Sequence, residues 1–284
     1  MSARKYFLSV FAGISMLAAA CGSAAAADST ANTAASAAAA ANQPAEKSAD
    51  KTANANYPAV IRSLQQQGLG DVQEFKAGPG LRGFAGMAGE DPTTVYVMPD
   101  GNAIVGTRIS PDGRVVDEAL VQKLMAKPMS DALWDKLASS TWIRDGKADA
   151  PRIVYMFSDP NCPYCHRFWA AARPWVDAGK VQLRNLLVGV IKPDSSTKAA
   201  AILGASDRTA ALEQNERNFE KGGITPAASV PPDVRKILGS NQAFMVELGF
   251  QGTPGIVYQD ENGLAQRLTG MPQPEDLGKI LGPR

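Results

Sequence analysis

The 284-residue chain is poor in cysteine, in histidine and in net charge. It contains three cysteines and one histidine, and its formal charge is +1 at pH 7. A structural zinc site usually needs four Cys or His ligands, so this composition argues against one. A near-neutral chain also lacks the basic stripe expected of a nucleic-acid-binding protein. We therefore expect no metal, no cofactor and no nucleic acid partner.

Long hydrophobic runs are scarce as well. Residues 6–20 form an apolar run of about fifteen residues behind the basic pair Arg4 and Lys5, which is shorter than the roughly twenty residues that span a bilayer. Residues 1–27 are therefore predicted to be an export signal, cleaved near residues 20–27. No second apolar stretch is long enough for a membrane span, so we expect an exported globular protein.

Two modes of cleavage remain open for this signal. Ala25-Ala26-Ala27 fits ordinary signal peptidase, whereas the segment before Cys21 is similar to a bacterial lipoprotein signal, except that Ala18 stands where leucine is usual. In the second mode acylation of Cys21 would anchor the protein to lipid. Residues 28–56 contain no aromatic and no large aliphatic side chain, so they cannot offset their ordering entropy and are predicted to be a disordered leader.

The other two cysteines, Cys162 and Cys165, stand within one turn of backbone. A strand pattern over residues 152–157 precedes them, and a helix pattern over residues 165–178 follows. A thiol at a helix N-terminus is stabilised as a thiolate by unpaired N–H groups and by the helix dipole. A disulfide that closes so short a loop would stabilise the fold by only about 2 kcal/mol. The pair therefore predicts redox chemistry rather than a structural bridge.

We predict that Cys162 is the attacking and more exposed sulfur, because it is nearer the helix start, and that Cys165 is the resolving one. The polar run of residues 158–161 predicts a surface turn before them. Two other interpretations stay open: the C-x-x-C-H spelling also fits c-type haem attachment, and both cysteines could be buried and inert. For His166, a helix residue that adjusts local charge is a simpler interpretation than a proton-transfer group.

About 228 residues follow the leader, enough for two domains. Residues 57–127 predict a small α+β unit whose elements are a helix over 58–67 and strands over 72–76, 93–97 and 102–109, with a hairpin at Asp100-Gly101. Residues 128–150 predict a linker with a helix from an N-cap at Ser130 to Ser139. A polar break over 145–151 follows it, and Trp134 and Trp142 are interpreted as packing anchors.

Residues 151–284 predict a second domain. Its predicted strands are 152–157, 181–190, 256–258 and 265–269, and its predicted helices are 165–178, with a kink or early stop at Pro174, and 274–281. Between the second and third strands lies a helical insertion over residues 195–249, with segments 199–203, 209–219 and 241–248. This order predicts a thioredoxin-like fold with a helical insertion, in the α+β class. The insertion's charged residues are interpreted as a solvated face: Asp207, Arg208, Glu213, Glu216, Arg217 and Glu220.

Residues 157–166, Phe-Ser-Asp-Pro-Asn-Cys-Pro-Tyr-Cys-His, resemble the active-site segment of the DsbC/DsbG family of bacterial periplasmic disulfide isomerases. Pro163-Tyr164 is closer to the DsbG branch. Thr253-Pro254 resembles the family's dipeptide in which a cis proline faces the dithiol. The resemblance covers roughly residues 57–284.

This resemblance implies a periplasmic homodimer joined through a cystatin-like N-terminal domain. It also implies that Pro163, Tyr164, Thr253 and Pro254 contact substrate. By composition alone a trans proline would be favoured, since only about one X-Pro bond in twenty is cis, and the resemblance reverses that expectation. We expect the Thr253 hydroxyl either to point toward Cys162 and stabilise its thiolate, or only to pack.

The predicted function is thiol–disulfide exchange on misfolded exported proteins, as an isomerase or a reductase. Reduction of sulfenylated cysteines proceeds through the same mixed disulfide after loss of water. The resemblance implies that a membrane reductase of the DsbD type keeps the pair reduced. Two alternatives remain: a DsbA-like oxidase that uses the pair in the opposite direction, and a chaperone in which the cysteines are dispensable.

Overall fold

The computed structural model describes residues 56–284. The predicted export signal, Cys21 and all but the last residue of the predicted leader lie outside the described residues. Among the residues that are described, no helix has both the length and the apolar character that a membrane span requires.

The helices of the described part are α1 (Ala59–Gln66), α2 (Glu118–Ser139), α3 (Pro163–Val176), α4 (Ser195–Leu203), α5 (Arg208–Arg217), α6 (Pro232–Glu247) and α7 (Leu277–Leu281), with short 3-10 turns at Phe219–Lys221 and Pro274–Asp276. The strands are β1 (Leu69–Lys76), β2 (Arg82–Ala88), β3 (Asp91–Val97), β4 (Ala103–Val105), β5 (Ile143–Asp145), β6 (Arg152–Ser158), β7 (Val181–Leu187), β8 (Gly255–Gln259) and β9 (Ala265–Thr269).

The first sheet is antiparallel, with strand order β1-β2-β3-β4. The predicted helix and the strands corresponding to β1 and β3 are confirmed, and so is the hairpin, in which Gly101 N–H donates to Met98 O at 3.0 Å. The predicted strand over 102–109 is too long, because pairing with β3 stops at Val105. Strand β2 was not predicted, since its glycines hide the alternation. A Cβ on Gly83 would lie 2.5 Å from the Phe75 ring, so this close packing requires glycine.

Helix α2 joins the two sheets. It packs against β2 and β3 and also against β9, and Lys136 near its end binds both Glu90 and Glu247 at 2.7 Å. The predicted N-cap at Ser130 is wrong. Ser130 is buried in the middle of α2, where its hydroxyl accepts the Ala265 N–H at 2.7 Å. Packing on both sides keeps the helix continuous through Pro128, which in the sequence favours a helix start.

The second sheet has the order β5-β7-β6-β8-β9. Strands β6 and β7 are parallel and are connected by α3, whereas the other neighbours are antiparallel. Helices α3 and α7 cover one face, and α2 and α6 cover the other. Two tryptophans pack as predicted: Trp134 meets the Tyr155 ring edge to face at 5.0 Å, and Trp142 lies 4.2 Å from the Arg184 guanidinium.

Several predicted bounds in this second region change. Strand β7 ends at Leu187 rather than at residue 190, and α6 begins at Pro232 rather than at residue 241, with proline in the first helical turn. Helix α3 ends two residues after Pro174, which is the predicted early stop. The polar break over 145–151 is partly wrong, since Asp145 ends β5 and is buried against Arg173. Helices α4 to α6 lie between β7 and β8 in the chain, as predicted for the insertion.

Candidate redox site

Cys162 and Cys165 lie where β6 passes into α3. They are disulfide-bonded, with their Cα atoms 5.2 Å apart. Cys162 is the N-cap residue of α3, Pro163 is the first helical residue, and the Cys165 N–H donates to Cys162 Sγ at 3.0 Å. A helix N-terminus leaves its first N–H groups without partners in the helix. The sulfur of Cys162 therefore occupies the position at which a negative charge is most stabilised.

The prediction that Cys162 is the more exposed sulfur is wrong for this oxidised pair. Each of the two cysteine residues is only 1% exposed. Cys162 is covered because the loop before it folds inward and because the Thr253 carbonyl lies 3.4 Å from its sulfur. Exposed side chains at this end of α3 belong to Pro163 and to Tyr164, which is 51% exposed.

The prediction of a surface turn over residues 158–161 is also wrong. Ser158, Asp159 and Asn161 are all buried. Asp159 Oδ1 accepts hydrogen bonds from Asn161 N–H at 2.9 Å and from the Ser195 hydroxyl at 2.7 Å. Its Oδ2 accepts from the N–H groups of Val190 and Ile191 at 2.6 and 3.0 Å. Asp159 and Asn161 thus face the protein, because the loop after β7 and the start of α4 supply their partners, whereas the buried Ser158 hydroxyl has no hydrogen-bond partner among the described residues.

Lys198 on α4 supplies the positive charge of this buried cluster. Its ammonium donates to Asn161 Oδ1 at 2.7 Å and to Gly222 O at 2.8 Å, and it lies 3.2 Å from Asp194 Oδ2. Burial alone would raise the pKa of Asp194, but the hydrogen bond and the charge of Lys198 outweigh burial and lower this pKa. The loop that carries Cys162 is therefore fastened to the helical insertion.

Helix α5 also contributes to this attachment through Asn215. Its amide donates to Pro160 O at 3.2 Å, and its carbonyl oxygen accepts the Ile224 N–H at 3.0 Å. The sequence prediction named none of Asp159, Asn161, Lys198 and Asn215 as site residues. No local signal marked Lys198, because a lysine before the run Ala199-Ala200-Ala201-Ile202 is equally compatible with an exposed face of a helix.

Thr253 and Pro254 lie across the disulfide from this loop, and the peptide bond between them is cis. The Thr253 hydroxyl forms no hydrogen bond with Cys162 Sγ, so the expectation that it stabilises the thiolate is not confirmed. This hydroxyl is buried and has no hydrogen-bond partner among the described residues, and it is the carbonyl oxygen of Thr253 that approaches Cys162 Sγ. The carbonyl of Pro254 is occupied by Gly270 N–H at 2.8 Å.

His166 follows Cys165 on α3 and pairs with a buried acid. Its Nδ1 lies 3.0 Å from Glu216 Oε2, and its ring stacks on Phe219 with a centroid distance of 4.5 Å. Glu216 is only 7% exposed, so the interpretation of this residue as part of a solvated face is wrong. Burial raises the pKa of Glu216, and the charge of Asp145 adds to this, while the hydrogen bond and charge of His166 oppose it.

Comparison with known proteins agrees with the geometry of the site. A family model of a thioredoxin-like domain matches residues 143–282, which confirms the predicted fold of this part of the chain. The chain is 43% identical over 228 residues to a thiol:disulfide interchange protein DsbG of Pseudomonas aeruginosa, with 80% of this chain and 89% of the relative covered. It is 40% identical over 226 residues to the protein of the same name from Escherichia coli, with 79% and 91% covered.

Among solved structures, the DsbG of Helicobacter pylori is 19% identical, with a TM-score of 0.40, over 70% of this chain and 98% of that one. The assignment to a family rests instead on the two sequence relatives, because each is matched over nearly its whole length.

Proposed function

Because this chain belongs to the DsbG family of thiol:disulfide interchange proteins and is a thiol–disulfide oxidoreductase, we propose that it acts as an isomerase and reductase on exported proteins. Cys162 is the attacking sulfur and Cys165 the resolving one. The observation that carries this assignment is the hydrogen bond from Cys165 N–H to Cys162 Sγ at the start of α3. The same N–H stabilises the thiolate when the pair is reduced.

The reaction begins when the Cys162 thiolate attacks one sulfur of a substrate disulfide and displaces the other as a thiolate. The product is a mixed disulfide between enzyme and substrate. If the displaced substrate thiolate, or another one, attacks the mixed disulfide, the substrate is isomerised and the enzyme stays reduced. If Cys165 attacks instead, the substrate leaves with two thiols and the enzyme keeps the Cys162–Cys165 disulfide.

Reduction of a sulfenylated cysteine uses the same atoms. The Cys162 thiolate attacks the sulfur of the sulfenic acid, and the hydroxide that leaves is protonated to water. Cys165 then displaces the substrate thiolate and closes the disulfide. In both reductive reactions two electrons pass from the dithiol to the substrate, so a reductant must restore the dithiol. We assign that role to a membrane reductase of the DsbD type and the location to the periplasm.

Substrate contacts are assigned to Pro163, Tyr164, Thr253 and Pro254. The first two are exposed beside the dithiol, and the Thr253 carbonyl lies next to Cys162 Sγ. An extended substrate segment can pair with such backbone groups, as in strand addition. Val190 and Ile191, held by Asp159, are 44% and 43% exposed and add apolar surface for an unfolded substrate.

We also assign a homodimer, joined through the first sheet. Strand β4 is an edge of this sheet, and an edge strand with exposed apolar side chains favours pairing with another chain. The exposed aliphatic residues of this region are Ile104, Val105, Ile109, Val115, Val116 and Leu120. Sedimentation should give a dimer for the wild type and a monomer for Ile104→Glu. A wild type that sediments as a monomer at micromolar concentration would refute this assignment.

The central experiment combines trapping with a refolding assay. Cys165→Ser should accumulate mixed disulfides with exported proteins in cells, whereas Cys162→Ser should accumulate none. In a refolding assay with a scrambled disulfide-bonded protein, Cys162→Ser should fall to the uncatalysed rate. If Cys162→Ser instead prevented aggregation as well as the wild type does, and if the wild type did not accelerate refolding, the protein would be a chaperone with dispensable cysteines.

Alkylation trapping in cells tests the direction of electron flow. We expect Cys162 and Cys165 to be mainly reduced in the wild type and to become oxidised when the membrane reductase is deleted. A pair that is mainly oxidised in the wild type would overturn the isomerase and reductase assignment in favour of a dithiol oxidase.

A further inference from the structure

The pair formed by His166 and Glu216 has no assigned role in the exchange reaction. Glu216 Oε1 is reached by the Asn215 amide at 3.4 Å, and Oε2 lies 3.0 Å from His166 Nδ1. The imidazole lies between two aromatic rings, with centroid distances of 4.5 Å to Phe219 and 6.0 Å to Trp169. The carboxyl of Glu216 is therefore largely screened from water, and His166 is its strongest polar partner.

The charges around this pair come from three elements. On β5, Asp145 forms a bidentate ion pair with Arg173 of α3, and the Arg173 guanidinium lies 4.2 Å from the Trp169 ring centroid. This ion pair carries no net charge. Lys198 of α4 and Asp194, the N-cap residue of this helix, also compensate each other. The protonation state of His166 and Glu216 therefore sets the net charge of this buried region.

The remaining charged residues near the pair are exposed. Arg167 on α3, Glu213 and Arg217 on α5, and Glu220 and Lys221 in the turn after it all have their charges in contact with water. Solvent screens exposed charges far more than buried ones. These groups consequently change the proton affinity of the buried pair much less than a new charge inside the fold would.

Reduction of the dithiol creates such a charge close to the pair. Cys162 and His166 are four residues apart, and His166 N–H donates to Cys162 O at 3.1 Å in the first turn of α3. Cys162 is the N-cap of α3 and His166 is its fourth helical residue, so the backbone of His166 lies one turn from the residue that carries the thiolate. A thiolate on Cys162 therefore raises the free energy of a deprotonated, negatively charged pair and favours its protonation.

We propose that the His166–Glu216 pair is a proton site linked to the redox state of the dithiol: it is deprotonated beside the disulfide and binds one proton when the disulfide is reduced to the Cys162 thiolate. Glu216 acts here as a positioning residue, which acts on Cys162 through His166. This inference rests on the proposed redox role of Cys162 and Cys165.

The proton balance distinguishes the two cases. Reduction with two electrons breaks the S–S bond and gives two sulfurs, of which Cys165 takes one proton and Cys162 stays a thiolate. Without the linked site, one proton is consumed for two electrons. With it, a second proton enters from solvent and is held by His166 and Glu216. Neutralising the new charge in this way favours the reduced enzyme, which is the form that attacks substrates.

The test measures the reduction potential of the full-length protein against the glutathione couple from about pH 6 to about pH 8. The ultraviolet absorbance of the reduced protein gives the range in which Cys162 is a thiolate. For each proton consumed, the equilibrium constant of a two-electron couple changes tenfold per pH unit, which is about 30 mV. In the thiolate range the wild type should follow about 60 mV per pH unit, and Glu216→Gln about 30 mV.

Glu213→Gln is the matched control. It makes the same change one turn earlier on α5, where Glu213 is partly exposed and bound to Arg217, and it should keep the slope of the wild type. Glu216→Asp should recover part of the uptake of the second proton, because it keeps a carboxyl group. If Glu216 only packed, the shorter side chain would give no such recovery. In the same samples the thiolate of Glu216→Gln should form at lower pH than in the wild type.

Three results would overturn the proposal: a wild-type slope of about 30 mV per pH unit in the thiolate range, equal slopes for the wild type and Glu216→Gln, or an equal loss in Glu213→Gln. The first of these needs no variant, so it decides the question even if Glu216→Gln does not fold. Failure of the proposed function is seen separately, as an absence of mixed disulfides with Cys165→Ser in cells or as a mainly oxidised pair in the wild type.

Discussion

Two segments flank Cys162, and they differ in the hydrogen-bond partners of their buried polar groups. On the side of β6, Asp159 and Asn161 bond to backbone and side-chain groups of α4 and of the loop before it, although the buried Ser158 hydroxyl at the end of β6 has no partner among the described residues. On the opposite side, the Thr253 hydroxyl is buried without a partner in the described structure, and the Thr253 carbonyl faces the sulfur. We call these the anchored side and the open side.

The difference indicates a division of work around the sulfur. A buried polar group without a partner destabilises the fold by about 1–3 kcal/mol, and the unpartnered hydroxyl of Thr253 differs from that of Ser158 because the carbonyl of its own residue faces the reactive sulfur. The anchored side holds Cys162 at the start of α3. The open side keeps hydrogen-bonding capacity next to the sulfur, which a substrate segment can use. The variants below change one side at a time.

The largest effect is expected from Asp159→Ala on the anchored side. Four donors lose their acceptor, namely Asn161 N–H, the Ser195 hydroxyl and the N–H groups of Val190 and Ile191. We expect urea unfolding to show a loss of about 4 kcal/mol. Asp207→Ala is the control, because Asp207 caps α5 at the surface and should cost about 1 kcal/mol. Equal losses would mean that the loop is not held by Asp159.

Lys198→Met should be somewhat less severe. The methionine keeps most of the apolar stem, but Asn161 Oδ1 and Gly222 O lose their donor and Asp194 loses its counter-charge. A loss of about 3 kcal/mol is expected, together with slower exchange, because Asn161 precedes Cys162. Lys236→Met on the exposed face of α6 serves as the control and should stay within about 0.5 kcal/mol of the wild type. Unchanged exchange kinetics in Lys198→Met would show that Lys198 does not affect the reactivity of Cys162.

Raising the pH should destabilise the fold through Glu216, whose contact with His166 belongs to neither of the two sides. Burial raises the pKa of this carboxyl above its ordinary value of 4.5, so the folded state holds the proton more tightly than the unfolded state does. The corresponding stability is complete below about pH 4.5 and is lost as the pH rises through the folded-state pKa. The free energy of unfolding of the wild type, minus that of Glu216→Gln, should therefore fall as the pH rises above about 4.5. A difference that rises over this range would contradict the assigned direction.

The smallest effect on stability is expected on the open side, from Thr253→Val. The change replaces an unpartnered hydroxyl by a methyl group of similar size, so the free energy of unfolding should change by less than about 1 kcal/mol. If the hydroxyl binds substrate, exchange should slow by about fivefold, the equivalent of a lost hydrogen bond of about 1 kcal/mol. Thr93→Val in β3 should alter neither quantity. Unchanged exchange in Thr253→Val would leave the carbonyl as the group that recognises substrate.

Much of the fold could be predicted from local patterns. Strand β9 has the predicted bounds. Strands β6 and β8, which lie next to Cys162 and Pro254 in the chain, were predicted because they are rich in branched and aromatic residues. Strand β2 was missed because Gly83 and Gly86 lack the side chains that a pattern needs. Their small size matters only when β1 lies alongside, where a Cβ on Gly86 would be 2.9 Å from Gly70 O. That contact is a property of the pairing and not of the segment.

The site shows the same limit. Residues 158–161 have the composition of a turn, and the Cys162 N–H does close a turn onto Asp159 O at 2.9 Å, yet this turn is buried. Whether a turn meets water or protein depends on what arrives from elsewhere in the chain. Here α4 and α5 bring Ser195, Lys198 and Asn215 from more than thirty residues away.

The sequence by itself determined the dithiol at a strand-to-helix junction, because the spacing of Cys162 and Cys165 and the apolar pattern around them are local. It also determined the family, since the flanking residues and the Thr253-Pro254 pair are contiguous segments. Only the tertiary structure decided which polar groups are buried, that Glu216 faces His166 rather than water, and that the Thr253 carbonyl lies against Cys162 Sγ. The reason is physical: burial and charge pairing depend on distances between segments far apart in the chain, and no local pattern contains those distances.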